Sequence, residues 1–216
     1  MKAYRLPVHC AAILFDMDST LYTHTEYQRI QQELPVERLA LIMGKSVEEM
    51  NREIARRREA WAAAHDGQNL SLGNVFKTFG VSIEESVRWR EELYQPERYL
   101  SENRRLCVVL EDLAARFSLA VVTNNPVSIA VRTLSALGVA GIFGAIVGLD
   151  TCGVSKPHAA PFRKAAELCG AAPASCVSVG DRYDIDIVLP LELGMGGILV
   201  DGVEDVYKLP DLFGKR

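Results

Sequence analysis

The sequence contains no C-x-x-C pair, no apolar run long enough to span a bilayer, no surplus of positive charge and no glycine-rich loop after its first apolar run. Each absence excludes something. The five cysteines, Cys10, Cys107, Cys152, Cys169 and Cys176, are scattered and odd in number. That pattern argues against a structural zinc site or a disulfide framework and for reduced thiols in the cytoplasm. A formal net charge of −4 gives no electrostatic reason to expect nucleic acid or an anionic membrane as partner, although a small anion in a local pocket stays open. The start MKAYRLPVHCAAILF has the charged head and apolar run of a signal peptide. The run is short, however, is broken by His9, and ends on two aspartates rather than a small-residue cleavage site. With nothing else of membrane-spanning length, a soluble cytoplasmic protein is expected. At 49% hydrophobic and 24% charged over 216 residues, the chain can bury a full core, either as one large domain or as one domain with an insert.

What is present falls into two textures. His9 to Phe15 is a continuous apolar run, the pattern of a strand covered on both faces. From about Thr25 to Tyr94, charged and helix-favouring residues take over. Ser46-Val47-Glu48-Glu49 and Ser82-Ile83-Glu84-Glu85 read as capping boxes, and Gly80 is placed to end a short helix. The segment is therefore expected to be an all-helical insert of about four helices, with Trp61 and Trp89 in its core. After Pro96 the helix Leu106–Arg116, the strand Leu119–Val122, a helix from Pro126 to Leu137 ending at Gly138, and the strand Ala145–Val147 follow one another. A helix over Ala159–Cys169 and strands at Cys176–Val179 and Ile198–Val200 complete the alternation, which implies a parallel sheet with helices on both faces. The fold class is thus α/β, a Rossmann-like parallel core with a small helical domain inserted after the first strand. The expected core is residues 1–21 and 96–216, and the expected insert is 22–95.

In open parallel sheets ligands bind at the carboxyl ends of the strands, so the residues just past each apolar run decide the chemistry. The first end carries Asp16 and Asp18, which point the same way in extended chain. Alone, they fit a turn cap as well as a catalytic pair. The second carries Thr123-Asn124-Asn125, able to donate to a phosphate, while Asn125 before Pro126 also reads as a helix N-cap. The third carries Lys156, by itself an ordinary surface lysine. The fourth carries Asp181, Asp184 and Asp186, three acids in six residues and a set suited to a hard divalent cation. One of these acids could cap a helix running toward Leu193, with Pro190 making that helix late or kinked. Together these groups meet the needs of phosphoryl transfer through a carboxylate nucleophile. Repulsion between carboxylate and phosphate has to be offset by Mg²⁺ and a lysine, and a second carboxyl group moves the proton.

FDMDST, VVTNN, VSKP and VGDRYDID resemble, in order and spacing, the four motifs of haloacid dehalogenase-like phosphohydrolases. The helical segment after FDMDSTLY resembles the cap of the subgroup whose cap follows the first motif. The resemblance covers essentially the whole chain and implies a role for each matching residue. Asp16 would be the nucleophile and a Mg²⁺ ligand, and Asp18 the general acid/base with its backbone carbonyl on the metal. Thr123 and Asn124 would hold the phosphate, and Lys156 would bridge phosphate and nucleophile. Asp181 would ligate the metal, and Asp186 would act on it directly or through water, with Asp184 in a supporting role. FDMDSTLY and GDRYDIDI…ELGM resemble the pyrimidine 5′-nucleotidase and phosphoglycolate phosphatase branches. A small phosphorylated metabolite, a nucleoside monophosphate or a phosphoglycolate-like ester, is therefore the expected substrate, with Tyr22, His24 and Tyr27 either lining the entrance or packing the insert on the core.

Four other readings compete. A dehalogenase would lack the second acid, here Asp18, and a phosphonatase would need an amine from the insert, where Lys45 and Lys77 have no suggestive context. A regulator using the fold only as a binding platform would have lost Asp16, Asp18 or Lys156. A dinucleotide-binding domain fails at the first turn, which is Asp16-Met17-Asp18-Ser19, while Gly194-Met195-Gly196-Gly197 reads as a tight turn before a late strand.

Overall fold

A computed structural model of the chain describes residues 1–65, 67 and 70–214. The chain runs β1 (Lys2–Arg5), β2 (Ala12–Phe15), α1 (Thr25–Ile42), α2 (Val47–Ala64), α3 (Leu72–Thr78) and α4 (Ile83–Leu93). It continues through α5 (Arg104–Ala114), β3 (Ser118–Val122), α6 (Val127–Ala136), β4 (Ala145–Val147), α7 (Leu149–Cys152), α8 (Ala159–Leu168) and β5 (Cys176–Gly180). A π-helical turn at Tyr183–Ile187 leads into α9 (Val188–Glu192), β6 (Gly196–Leu199), α10 (Val203–Val206) and α11 (Leu209–Leu212). Six strands form one sheet in the order β1-β6-β5-β2-β3-β4. All neighbours are parallel except β1, which lies antiparallel on β6.

The apolar run that opens the core explains its own position. Every residue of β2 is fully buried, because a strand in the middle of a parallel sheet is covered on both faces. Ile13 and Phe15 point to one side, into a cluster with Leu106, Leu110 and Leu113 of α5 and Leu134 of α6. Ala12 and Leu14 point to the other, against Phe162, Ala165 and Ala166 of α8. Each such side chain contributes roughly 1.5–3 kcal/mol on leaving water, so the strand is held from both faces and its carboxyl end is fixed. Register then lines the ends up: Phe15 lies opposite both Val121 and Val179. Asp16, Thr123 and Asp181 leave the sheet side by side.

The four helices of the insert build a separate apolar cluster around Leu39, Met50, Ile54, Val75, Phe76 and Trp89. Ser46 and Glu49 form a reciprocal capping box at the start of α2, and Ser82 caps α4 by accepting from the Glu85 N–H. Gly80, in the left-handed region at φ 86°, closes α3 as its position in the sequence suggests.

Several expectations need correction. The strand expected from His9 begins at Ala12, and His9 is exposed. The insert follows the second strand, because Lys2–Arg5 pairs on the sheet edge although it has no apolar run to announce it. Asn125 does not cap α6. The helix begins at Val127, whose N–H donates to Asp150 Oδ1 at 3.0 Å from the next strand end. Trp61 is 37% exposed and stacks on His65, so it is not core. The helix containing Pro190 starts late, with proline in its first turn where no N–H is needed. Within Gly194-Met195-Gly196-Gly197 only Gly194 turns the chain; Gly196 and Gly197 open β6.

Candidate active site

The four strand ends converge. Lys156, 1% exposed, sits between two carboxylates, with Nζ 2.6 Å from Asp16 Oδ1 and 2.6 Å from Asp186 Oδ1. Burial opposes its charge, but the flanking Asp16 and Asp186 carboxylates outweigh burial and raise its pKa. The lysine is held from behind by Asn124, whose side-chain Oδ1 accepts from the Lys156 N–H at 2.6 Å and whose Nδ2 donates to the Lys156 carbonyl at 3.1 Å. Thr20 completes the loop by donating to Asp16 Oδ2 at 3.4 Å.

Asp186 can reach this point because residue 180 is glycine. A Cβ there would lie 2.4 Å from Asp186 Cβ and 2.6 Å from its Cγ. The Asp186 carboxylate also accepts from the Arg182 N–H at 3.1 Å, and the Asp186 carbonyl accepts from the Ser178 hydroxyl at 2.7 Å. Side-chain oxygens of Asp16, Asp181 and Asp186 lie within 4.8 Å of one another. Asp181 Oδ1 is buried and accepts no hydrogen bond. Burial first, then the neighbouring Asp16 and Asp186 carboxylates, push the Asp181 pKa up to about 7. Three hard oxygen donors, one of them accepting no hydrogen bond, beside Lys156 and an Arg182 guanidinium 4.0 Å from Asp181 Oδ1, form a set that a divalent cation such as Mg²⁺ fits. Asp184 is outside this cluster.

Asp18 faces elsewhere. Its carboxylate accepts from Asn125 Nδ2 at 2.9 Å, from Gln31 Nε2 at 2.9 Å and from the Tyr22 hydroxyl. Gln31 belongs to α1, so the helical insert touches the second acid directly. Tyr22 is thereby assigned to the site, while Tyr27 is fully buried, stacked on Tyr99 5.2 Å away. His24 caps α1 by accepting from the Tyr27 N–H. Thr123 is buried, its oxygen accepting from the Asn125 N–H at 3.1 Å, and its own proton remains to be donated.

Over the strand ends lies a cavity of about 140 Å³, with Asp18, Asn124 and Asn125 on the sheet side and Gln31, Arg90 and Tyr94 on the insert side. Ser71 of the insert and Ser155 of the core meet across it at 3.1 Å between hydroxyls.

A family model described as haloacid dehalogenase-like hydrolase matches residues 10–188. The chain belongs to this family. A phosphoglycolate phosphatase of Aquifex aeolicus is 30% identical over 177 residues, which are 81% of this chain and 77% of the relative. Among solved structures, an HAD phosphatase of Thermococcus onnurineus is similar with a TM-score of 0.61 at 20% identity, covering 94% of this chain and 98% of that one. A 2-haloacid dehalogenase of Pseudomonas syringae is similar with a TM-score of 0.55 at 17% identity over 94% and 98%. Phosphatase and dehalogenase share the fold, so the fold does not choose between them. This haloacid dehalogenase-like hydrolase carries contacts that no motif announces: Gln31 and Asn125 on Asp18, and Asn124 on the backbone of Lys156. The amides of Asn124 and Asn125 lie inside VVTNN, but Gln31 sits in a helix whose pattern offers no signal for it. Among the described residues no helix is long and apolar enough to cross a membrane, and all five cysteines are free.

Proposed function

We propose that the chain is a Mg²⁺-dependent phosphatase that hydrolyses a small phosphomonoester through a phosphoryl group carried on Asp16. The observation that carries the reading is the pairing of a lysine-held, cluster-facing Asp16 with Asp18 two residues on, separately held by three hydrogen-bond donors. Asp16, with its charge steadied by Lys156, attacks phosphorus, and the ester P–O bond breaks. Asp18 gives its proton to the leaving alkoxide, then takes one from the water that attacks the phosphoryl group in the second half. That releases inorganic phosphate and restores the Asp16 carboxylate and the protonated Asp18. The Thr123 hydroxyl and the backbone N–H of Asn124 hold phosphate oxygens, since the Asn124 side chain is engaged with Lys156. Asp16, Asp181, Asp186 and the Asp18 carbonyl would hold Mg²⁺, which supplies neutralisation of phosphate charge when bound.

The helices between residues 22 and 95 act as the cap, with Gln31 linking closure to the orientation of Asp18. The Aquifex aeolicus relative is named a phosphoglycolate phosphatase, and the cavity of about 140 Å³ beside Asp18 has room for a leaving group of that size. The free thiols suit a reducing cytoplasm. A dehalogenase needs no proton donor for its leaving group, so the three-fold support of Asp18 favours phosphate ester hydrolysis. Phosphate release from small phosphomonoesters with Mg²⁺, abolished by EDTA and in Asp16→Asn, is the expected result. Halide release from 2-chloro acids, or phosphate release that persists in Asp16→Asn, would overturn the reading.

A further inference from the structure

Arg90 stands out in the insert. It lies on α4, is 5% exposed, and forms no ion pair with any carboxylate among the described residues. Its Nη1 donates to the Ser86 carbonyl at 3.2 Å and to the Ser86 hydroxyl. A guanidinium has five donors and keeps its charge, so the bonds to Ser86 and to the Tyr94 hydroxyl still leave donors unspent. Burying a charge without a counter-charge is costly, and an apolar residue of similar volume at the same helix position would avoid that cost. The unspent side faces the cavity above the strand ends, across from Asp18 and Asn124. The Tyr94 hydroxyl donates to the Gln31 carbonyl at 2.6 Å; its pKa is pushed up to about 12 by burial, with Arg90 and Asp18 acting on it in opposite senses. Gly73 leaves room beside the guanidinium, since a Cβ there would have Arg90 Nη2 as its nearest neighbour at 3.6 Å.

We propose that Arg90 is a specificity-determining residue that anchors a carboxylate on the leaving alcohol, making the substrates phosphate esters of small hydroxy acids. The inference rests on the phosphatase reading above. A planar carboxylate can take two parallel N–H bonds from a guanidinium. The cavity of about 140 Å³ has Arg90 and Asp18 both on its walls, so a short alcohol can reach the anchor and the acid together. Binding at Arg90 holds the ester oxygen beside Asp18 and rejects neutral alcohols, which would leave the arginine unpaired.

The test compares kcat/KM of the full chain with Mg²⁺ on phosphoglycolate and on ethyl phosphate, which lacks the carboxylate. The wild type is expected to prefer phosphoglycolate by roughly 30- to 5,000-fold, the range for truncating one partner of a buried charge pair. Arg90→Gln erases most of that preference, its loss falling far more on phosphoglycolate than on ethyl phosphate, and Arg90→Lys restores part of it. Arg90→Lys, which keeps the buried charge but loses the planar fork, serves as the variant that folds: its melting temperature stays near that of the wild type while its preference for phosphoglycolate lies between those of the wild type and Arg90→Gln. A wild type that hydrolyses both esters equally, one that prefers bisphosphates, or variants that leave the ratio intact overturns the role of Arg90 while leaving the phosphatase reading standing. If no ester is hydrolysed, the phosphatase reading fails and the anchor is judged by melting temperature with phosphoglycolate: a rise in wild type and none in Arg90→Gln supports it, and equal shifts overturn it.

Discussion

Removing the charge of Lys156 should unbalance the site more than any other single change. Nζ lies 2.6 Å from Asp16 Oδ1 and 2.6 Å from Asp186 Oδ1, and the side chain is 1% exposed. At an effective dielectric of about 20, each contact carries roughly 6 kcal/mol of attraction, opposed by several kcal/mol of desolvation per ion. Lys156→Met keeps much of the volume and removes both attractions. The carboxylates of Asp16, Asp181 and Asp186 then crowd within 4.8 Å, with only the Arg182 guanidinium, whose Nε lies 4.0 Å from Asp181 Oδ1, left to offset them. Breaking a buried pair this way costs about 3–5 kcal/mol, which for a chain of this size lowers the melting temperature by about 6–20 °C. Urea unfolding followed by far-ultraviolet circular dichroism in EDTA reads the loss directly. Asp16→Asn in the same background removes one repelling charge, so the double variant should recover part of the stability, with a coupling above about 1 kcal/mol. A loss below about 1 kcal/mol for Lys156→Met, or strict additivity of the pair, would refute the account of a charge-balanced centre.

Gly180→Ala should place a methyl against Asp186 and displace it from the acid cluster; turnover and the Mg²⁺-induced rise in melting temperature should both vanish, and an unchanged Mg²⁺ response contradicts this. Gln31→Ala removes a 2.9 Å bond from the insert to Asp18 and should lower kcat by roughly 10- to 100-fold through misorientation, with KM changed far less; an equal effect on both points to general disruption instead. Burial tends to raise the pKa of Asp205, but hydrogen bonds from Lys208, the Met1 amine and the Asp201 N–H outweigh it and hold the group at about 2. A depressed folded-state pKa contributes stability that is full above the unfolded value near 4 and lost as pH falls toward about 2. Asp205→Asn should flatten the acid limb of the stability curve in that window, and an identical limb would rule out this carboxylate.

How legible the molecule is in its sequence depends on whether a residue's job is local. HCAAILF followed by DMDS reports a buried strand and what leaves it, because a central strand must be apolar on both faces and a ligand site must sit at its carboxyl end. The same logic singles out Thr123, Lys156 and Asp181 from the sequence. KAYR escaped because an edge strand borrows its order from β6 and needs little apolar surface of its own. Asn125 reads as a helix cap beside Pro126, yet its amide is used by Asp18, 107 positions earlier, and the capping is done by Asp150. Gln31 and Arg90 are invisible for the same reason: on an amphipathic helix either could be a solvated polar residue, and only the closure of the insert over the sheet turns them inward. Trp61 went the other way, since a large aromatic in a helix suggests core while its ring finds only His65.

The account turns on Asp16 carrying the phosphoryl group. Rapid acid quench of the enzyme during turnover with Mg²⁺, followed by peptide mass spectrometry, tests it most directly. A single phosphoryl group on Asp16, formed within the first turnover, lost on longer incubation and undetectable in Asp16→Asn, is the predicted result. Turnover with an unmodified Asp16, or a phosphoryl group on another residue, would contradict the central claim.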